Sequence, residues 1–263
     1  MPASKCSRLF ADPSVRTNGG FTLVELMAVI VILALLLGVL IPSMQSISHQ
    51  SLVTADLGNL RSLQSAHYQY AVDSKGKFAD AGLSHGGLAN EKIAWLNTLG
   101  AYVDIKGIIR SPLDTSPHWE MPIEGTTNRY RRTSYGWNNY LSRTKSPAAA
   151  IDPRSAADRL SRVSSPANTV HFLHMVATGD FAGSDHVHVE NWWISDAMPG
   201  APAILAANHV QTNVVAGEAK TNSAKANYGF VDGSVQTLYF SDVFLRPDRN
   251  RFDPEIAGRL SFN

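Results

Sequence analysis

Residues 21–41 read Phe-Thr-Leu-Val-Glu-Leu-Met-Ala-Val-Ile-Val-Ile-Leu-Ala-Leu-Leu-Leu-Gly-Val-Leu-Ile, an apolar run with one charge, Glu25. A helix of that length spans about 31 Å at about 1.5 Å per residue. The hydrocarbon core of a bilayer is about 30 Å thick, so the segment is long enough to cross a membrane once. Lys5, Arg8 and Arg16 precede it, which orients its N-terminal end toward the cytoplasm. A secretory signal peptide would have a shorter apolar core and a small-residue cleavage site behind it. Here Pro-Ser-Met-Gln follows Ile41 instead. Glu25 needs its own explanation, because a bilayer disfavours a buried carboxylate. A place near the helix N-terminus, where the dipole is positive, offsets part of that cost.

The stretch Gly19-Gly20-Phe21-Thr22-Leu23-Val24-Glu25 behind a short polar leader resembles the class III signal of type IV pilins and type II secretion pseudopilins. The resemblance implies cleavage after Gly20 by a prepilin peptidase and N-methylation of the new terminal residue, Phe21. It also implies a role for Glu25, which in pilins faces the free N-terminal amine of a neighbouring subunit. The implied partners are prepilin peptidase, other pilin or pseudopilin subunits, and the inner membrane, with the head in the periplasm.

The leader carries Lys5, Arg8 and Arg16 against Asp12, so its removal takes the net charge from +1 to −1. A near-neutral mature chain argues against nucleic acid as the main partner. The one cysteine, Cys6, also lies in the leader. A cut chain therefore has neither a disulfide framework nor a cysteine zinc site.

The helical pattern continues beyond the apolar run. Gly38 and Pro42 sit near its end, where proline removes a backbone donor and favours a kink. Val53, Leu57, Leu60, Leu63, His67 and Ala71 then recur at steps of three and four, the mark of one semi-apolar helix face. Asp73-Ser-Lys-Gly76 supplies a stop, with glycine as the C-terminal cap. The predicted organisation is a cleaved leader (1–20), a membrane or filament-core helix (21–41), an amphipathic continuation (42–75) and a globular head (76–263). From residue 76 onward, Gly, Pro, Asn and Ser punctuate short apolar stretches. Residues 91–100 predict a short helix, with Trp95 and Leu99 on one face. Residues 165–174 predict a turn and a buried strand. Residues 228–239 predict a hairpin turning at Asp232-Gly233. The tail beyond Arg246 is polar and proline-broken, and is expected on the surface. The fold class that follows is α+β, pilin-like: a long N-terminal helix packed on an antiparallel sheet.

The head is further similar to the prepilin-type branch whose C-terminal part carries an H-X9-DG motif. The matching pieces are Gly76-Lys-Phe78, Trp95, Leu99 and Tyr102, Ser111-Pro-Leu-Asp114, Ser134-Tyr-Gly-Trp-Asn138, Leu160-Ser-Arg-Val-Ser-Ser-Pro-Ala-Asn-Thr-Val170 and Ala226-Asn-Tyr-Gly-Phe-Val-Asp-Gly-Ser-Val235. Two positions depart from that pattern: Asn222 stands where the histidine is expected, and Ser111-Pro112 where Cys-Pro is usual.

His171, His174, His186 and His188 form the densest group of titratable side chains. On one strand His186, His188 and Glu190 would share a face, and two histidines with a carboxylate can ligate iron or zinc. The adjoining Trp192-Trp193 suggests a sugar-binding patch instead. A plain solvated strand face is the simpler expectation. Calcium is a second metal reading, with Asp232, Asp242, Asp248 and Asp253 as candidates, but their spacing lacks the alternation of a calcium loop. Arg129-Tyr-Arg-Arg132 is a small basic and aromatic cluster of the kind that binds single strands; in a near-neutral chain it is expected to be a solvated edge. No nucleophile elbow, phosphate-binding loop or His-Glu-x-x-His occurs. The sequence therefore points to a structural subunit rather than an enzyme, with no cofactor required. A membrane-tethered metal- or carbohydrate-binding protein using residues 171–193 is the rival reading. A type II secretion pseudopilin and a type IV pilus subunit both remain open.

Overall fold

The structure, a computed structural model, describes residues 20–83, 90–196, 198 and 200–260. The predicted leader, apart from Gly20, lies outside the described residues. The chain divides into two compact units, Met1–Ser48 and His49–Asn263.

One helix, α1 (Leu23–Asp73), contains 51 residues and is about 77 Å long at about 1.5 Å per residue. It runs through Pro42, whose missing N–H would otherwise bond the carbonyl of Gly38. Nearby, the Ser43 hydroxyl donates to the Val39 carbonyl at 2.9 Å. Among the described residues of the first unit the large apolar side chains are all exposed, from 46% at Val29 to 83% at Phe21. In the second unit Val53, Leu60, Leu63, Ala66 and Ala71 are buried. The predicted apolar face is thus in place, with Leu57 only half-buried.

The helix stops in a Schellman arrangement. The N–H of Gly76 bonds the carbonyl of Ala71 at 2.7 Å, and that of Lys75 the carbonyl of Val72 at 3.4 Å. The first left-handed residue is Lys75, at φ 57°, with Gly76 following at φ 78°. The capping position is therefore one residue earlier than expected and is not a glycine.

The head is built on a five-stranded sheet: β1 (Tyr135–Asn138), β2 (Val170–His174), β3 (His186–Val187), β4 (Lys225–Phe230) and β5 (Val235–Tyr239). The strand order is β3-β1-β2-β4-β5. Four strands are antiparallel as expected, but β3 pairs parallel with β1, through Trp137 opposite His186. The sheet is therefore mixed. The α+β class, a long helix followed by a sheet, stands. A two-stranded ribbon, β6 (Phe244–Arg246) and β7 (Arg249–Asn250), follows.

The predicted local elements fall where the pattern put them. Trp95 and Leu99 are fully buried in the short helical segment after residue 90. Every residue of β2 is buried. The β4–β5 hairpin turns with Gly233 at φ 90°, and Asp232 accepts from both the N–H and the hydroxyl of Ser234, at 2.9 and 2.7 Å.

Two clusters make the core. Leu60, Leu63 and Ala66 of α1 pack with Trp95, Trp137 and Phe172. On the other side, Tyr228 and Phe230 pack with Trp192, Phe240, Phe244 and Phe252. Phe252 is fully buried, its ring centroid 5.2 Å from that of Trp192. The tail is therefore not simply a surface appendage: its Phe252 closes the second cluster.

Candidate functional site: the α1 N-terminus and the buried carboxylate of the head

Two carboxylates on α1 stand out, one in each unit. Glu25 lies in the first turn. Its Oε2 accepts from the backbone N–H of Thr22 at 2.9 Å and from the Thr22 hydroxyl at 2.8 Å. Thr22 Oγ1 accepts in return from the N–H of Glu25 at 3.2 Å. This is a reciprocal capping box, with threonine at the N-cap and glutamate three residues on. Both Thr22 bonds use the same glutamate oxygen. Among the described residues the other oxygen accepts no hydrogen bond. Gly20 and Phe21 lie exposed immediately before this turn. Gly20, Phe21 and the half-engaged carboxylate of Glu25 thus fall within six consecutive positions.

Asp56, in the second unit, was not singled out by the sequence reading. It is fully buried on the same face of α1 as Val53, Leu60 and Leu63. One oxygen accepts from Ser111 Oγ at 2.5 Å and Tyr135 OH at 2.6 Å. The other lies 2.9 Å from His174 Nε2 and accepts from Asn227 Nδ2 at 2.7 Å. Burial by itself raises a carboxyl pKa. Here the His174 charge and the bonds from His174, Ser111 and Tyr135 outweigh it and hold Asp56 well below the usual carboxylate range. Burial, followed by the Asp56 charge, pushes the Tyr135 phenol well up. Three strands and one loop are therefore tied to α1 through one side chain. The legible signal was a lone charge on an otherwise apolar helix stripe.

The loop in question is Ser111-Pro-Leu-Asp114, and its other end is anchored too. Asp114 accepts from Arg131 Nε at 2.7 Å, with both side chains buried. The remaining Arg131 donors reach the carbonyls of Val176, Ala182 and Met175. Arg131 is thus a core residue. Of its neighbours, Arg132 bonds Glu91 and Asn97, and Arg129 bonds the Asp180 carbonyl. The predicted basic cluster is divided between the core and internally paired positions.

The histidine group separates in the same way. His171 Nδ1 lies 2.7 Å from Gln64 Oε1, and its ring centroid is 4.4 Å from that of His67. Burial drives the His67 pKa down to about 3. It also drives that of His171 well below the ordinary value, with His67 adding to the effect. His174 belongs to the Asp56 network. His186 Nδ1 pairs with Asp185 and His188 Nδ1 with Glu190, each at 2.9 Å. The strand that was to align His186, His188 and Glu190 ends at Val187; Glu190 lies in the 3-10 turn that follows. Among the described residues no group of three His, Cys, Asp or Glu side chains is arranged to hold a metal. Trp192 is fully buried and offers no face to a sugar.

The calcium candidates are likewise occupied separately. Asp232 serves its turn and Asp242 accepts from the Tyr239 N–H. Asp248 pairs with Arg246, and Asp253 accepts from the Glu255 N–H.

Comparison with known proteins agrees with the N-terminal feature. Residues 15–41 match the family model described as the prokaryotic N-terminal methylation motif, which supports a type IV pilin-like protein. The match covers the segment that holds Gly20, Phe21 and Glu25 and stops before the head. No curated protein and no solved structure matches the chain. α1 is one helix long and apolar enough to cross a membrane, by length and composition.

Proposed function

We propose that the chain is a prepilin-like structural subunit. Prepilin peptidase cuts it after Gly20 and methylates Phe21, and the product packs into a type II secretion pseudopilus or a type IV pilus-like filament. The observation that carries this reading is the coincidence of the methylation-motif match with a first half of α1 whose large apolar side chains are exposed and whose one charge is Glu25. Before assembly the helix anchors the protein in the inner membrane, single-pass, with the head in the periplasm. The free oxygen of Glu25 then receives the Phe21 ammonium of a neighbouring subunit, while the other oxygen keeps the Thr22 cap. A carboxylate that would be costly in an apolar filament core becomes paired. The head pieces that resemble the H-X9-DG branch support a place for the subunit in it, with Ser111, an Asp56 partner, at that branch's usual cysteine position. Chemistry is done on this protein rather than by it.

The test is Glu25→Ala, expressed beside wild-type subunits and followed by crosslinking in the membrane fraction. The variant inserts and is processed, but is lost from crosslinked assemblies. Assembly at wild-type levels would sink the proposal.

A further inference from the structure

The five-stranded sheet has two outer strands, β3 and β5, and they differ in how far they can pair. β3 is two residues long. The separate β6–β7 ribbon is also short and carries Arg246 and Arg249. Short length and charge are the devices that keep a sheet edge from pairing further. β5 has neither. It is five residues long, Val-Gln-Thr-Leu-Tyr, with no charge and no proline. Gln236, Thr237 and Tyr239 are exposed, and valine, threonine and tyrosine favour strands.

The backbone decides which groups this edge presents. In an antiparallel pair, successive residues turn their N–H and C=O alternately toward the partner strand and away from it. The N–H of Phe230 bonds the carbonyl of Ser234 at 2.9 Å, and that of Phe240 bonds the carbonyl of Ala224 at 2.8 Å. Between them, Tyr228 lies opposite Gln236 and Ala226 opposite Leu238. Gln236 and Leu238 therefore point at β4, whereas Val235, Thr237 and Tyr239 point outward. The Tyr239 N–H is taken by Asp242 at 3.2 Å. Among the described residues nothing bonds the N–H or C=O of Val235 and Thr237. Two donors and two acceptors thus face outward in a row, at the spacing of a strand. An extended backbone matches them in order.

A second copy of this chain does not suit the edge. Within the head, α1 follows β4: Val53 and Asp56 lie beside Asn227, Gln64 beside Gly229 and Tyr68 beside Val231. Pairing β5 with β5 about a two-fold axis would set the two α1 helices in opposite directions. Subunits anchored in one membrane from the same side, as proposed above, cannot adopt that arrangement.

We propose that β5 is a docking edge for an extended, uncharged segment of a partner protein, which continues the sheet by bonding the main-chain groups of Val235 and Thr237. Side chains of that segment beside Val235, Thr237 and Tyr239 are β-branched or aromatic, the pairs that cross-strand contact favours. β5 itself offers a charged residue no counter-charge.

The test uses the full chain in detergent and a fluorescein-labelled, end-blocked peptide Thr-Val-Thr-Val-Thr, followed by anisotropy. N-methylation of its two valines closes one edge of the peptide and stops it pairing with itself. N-methylation of every residue closes both edges. In the protein, Thr237→Pro removes one outward N–H and no bond to β4, a position where an edge strand accepts proline. Thr237→Val is its control, since both variants lose the Thr237 hydroxyl bond to Asn227 Oδ1 at 2.6 Å. The valine-methylated peptide is expected to bind saturably to the wild type and to Thr237→Val, and about tenfold more weakly to Thr237→Pro. The fully methylated peptide is expected not to bind. If Thr237→Pro does not fold, the two peptides compared on the wild type decide. Equal binding of the two peptides, equal binding by folded Thr237→Pro and Thr237→Val, or no saturation at millimolar peptide overturns the proposal. So does a wild-type dimer, seen by light scattering without peptide, that Thr237→Pro dissociates.

Discussion

The two halves of α1 share a helix but not a chemistry. Residues 23–48 expose large apolar side chains on every face and carry one charge, which caps the helix end. Residues 49–73 bury one face against their own head and carry a charge there, Asp56, that meets four partners. The first half holds apolar surface that nothing among the described residues of its unit covers, so it calls for a bilayer or other subunits. The second half finds its partners within the chain. The same residue type therefore means two things on one helix: Glu25 is left half-engaged, whereas Asp56 is fully satisfied.

The strongest way to break this contrast is to remove each carboxylate in turn. Asp56→Ala strips the acceptor from Ser111, Tyr135, His174 and Asn227 in a site with no water access. Breaking a buried charge pair in this way costs about 3–5 kcal/mol. Chemical denaturation followed by tryptophan fluorescence should show a large loss of head stability. Glu25→Ala, by contrast, should leave the denaturation midpoint of the head where it was. If the two variants denature alike, the division between the halves fails.

Acid gives the next largest effect. His67 is buried neutral, with a folded-state pKa near 3 against 6.5 for the free side chain, and His171 is displaced in the same direction. Between those values the unfolded chain binds the extra proton, so the stabilisation is complete above about pH 6.5 and is lost as pH falls toward 3. At about 1.4 kcal/mol per pH unit, His67 alone removes roughly 2 kcal/mol by pH 5. Asp56 adds its own loss only as pH falls through and below 3.8, its unfolded-state value. Denaturation midpoints should hold from pH 7.5 to about 6.5 and fall from there to 4.5, and His67→Phe should flatten the slope. A flat profile in the wild type would remove the argument.

The smallest effect sharpens the helix stop. Lys75 holds the left-handed C-terminal position that glycine occupies without strain. Lys75→Gly should therefore raise the stability of the head by about 1 kcal/mol or less, read as a small upward shift in the thermal midpoint.

Legibility in the sequence follows the same division. The anchor, the apolar face of α1, the buried strand β2 and the β4–β5 hairpin are local patterns, and each depends on residues close together in the chain. The Asp56 network joins residues up to 171 positions apart, and no spacing rule connects them. The histidine group looked like one site because its members are near in sequence; a short β3 and a 3-10 turn send their side chains to separate partners. Arg131 looked like surface charge because basic residues flank it, whereas three backbone carbonyls and Asp114 hold it in the core. Phe252 lay in a polar tail, and only the pairing of β6 with β7 brings it back to Trp192. The Thr22–Glu25 cap is written locally, as a threonine followed three residues later by a glutamate.

The central claim is that the N-terminal segment is a substrate for processing. Mass spectrometry of the native N-terminus, on protein recovered from cells with an active prepilin peptidase, tests this directly. The account predicts a chain that begins at methylated Phe21. An intact chain beginning at Met1 would contradict it.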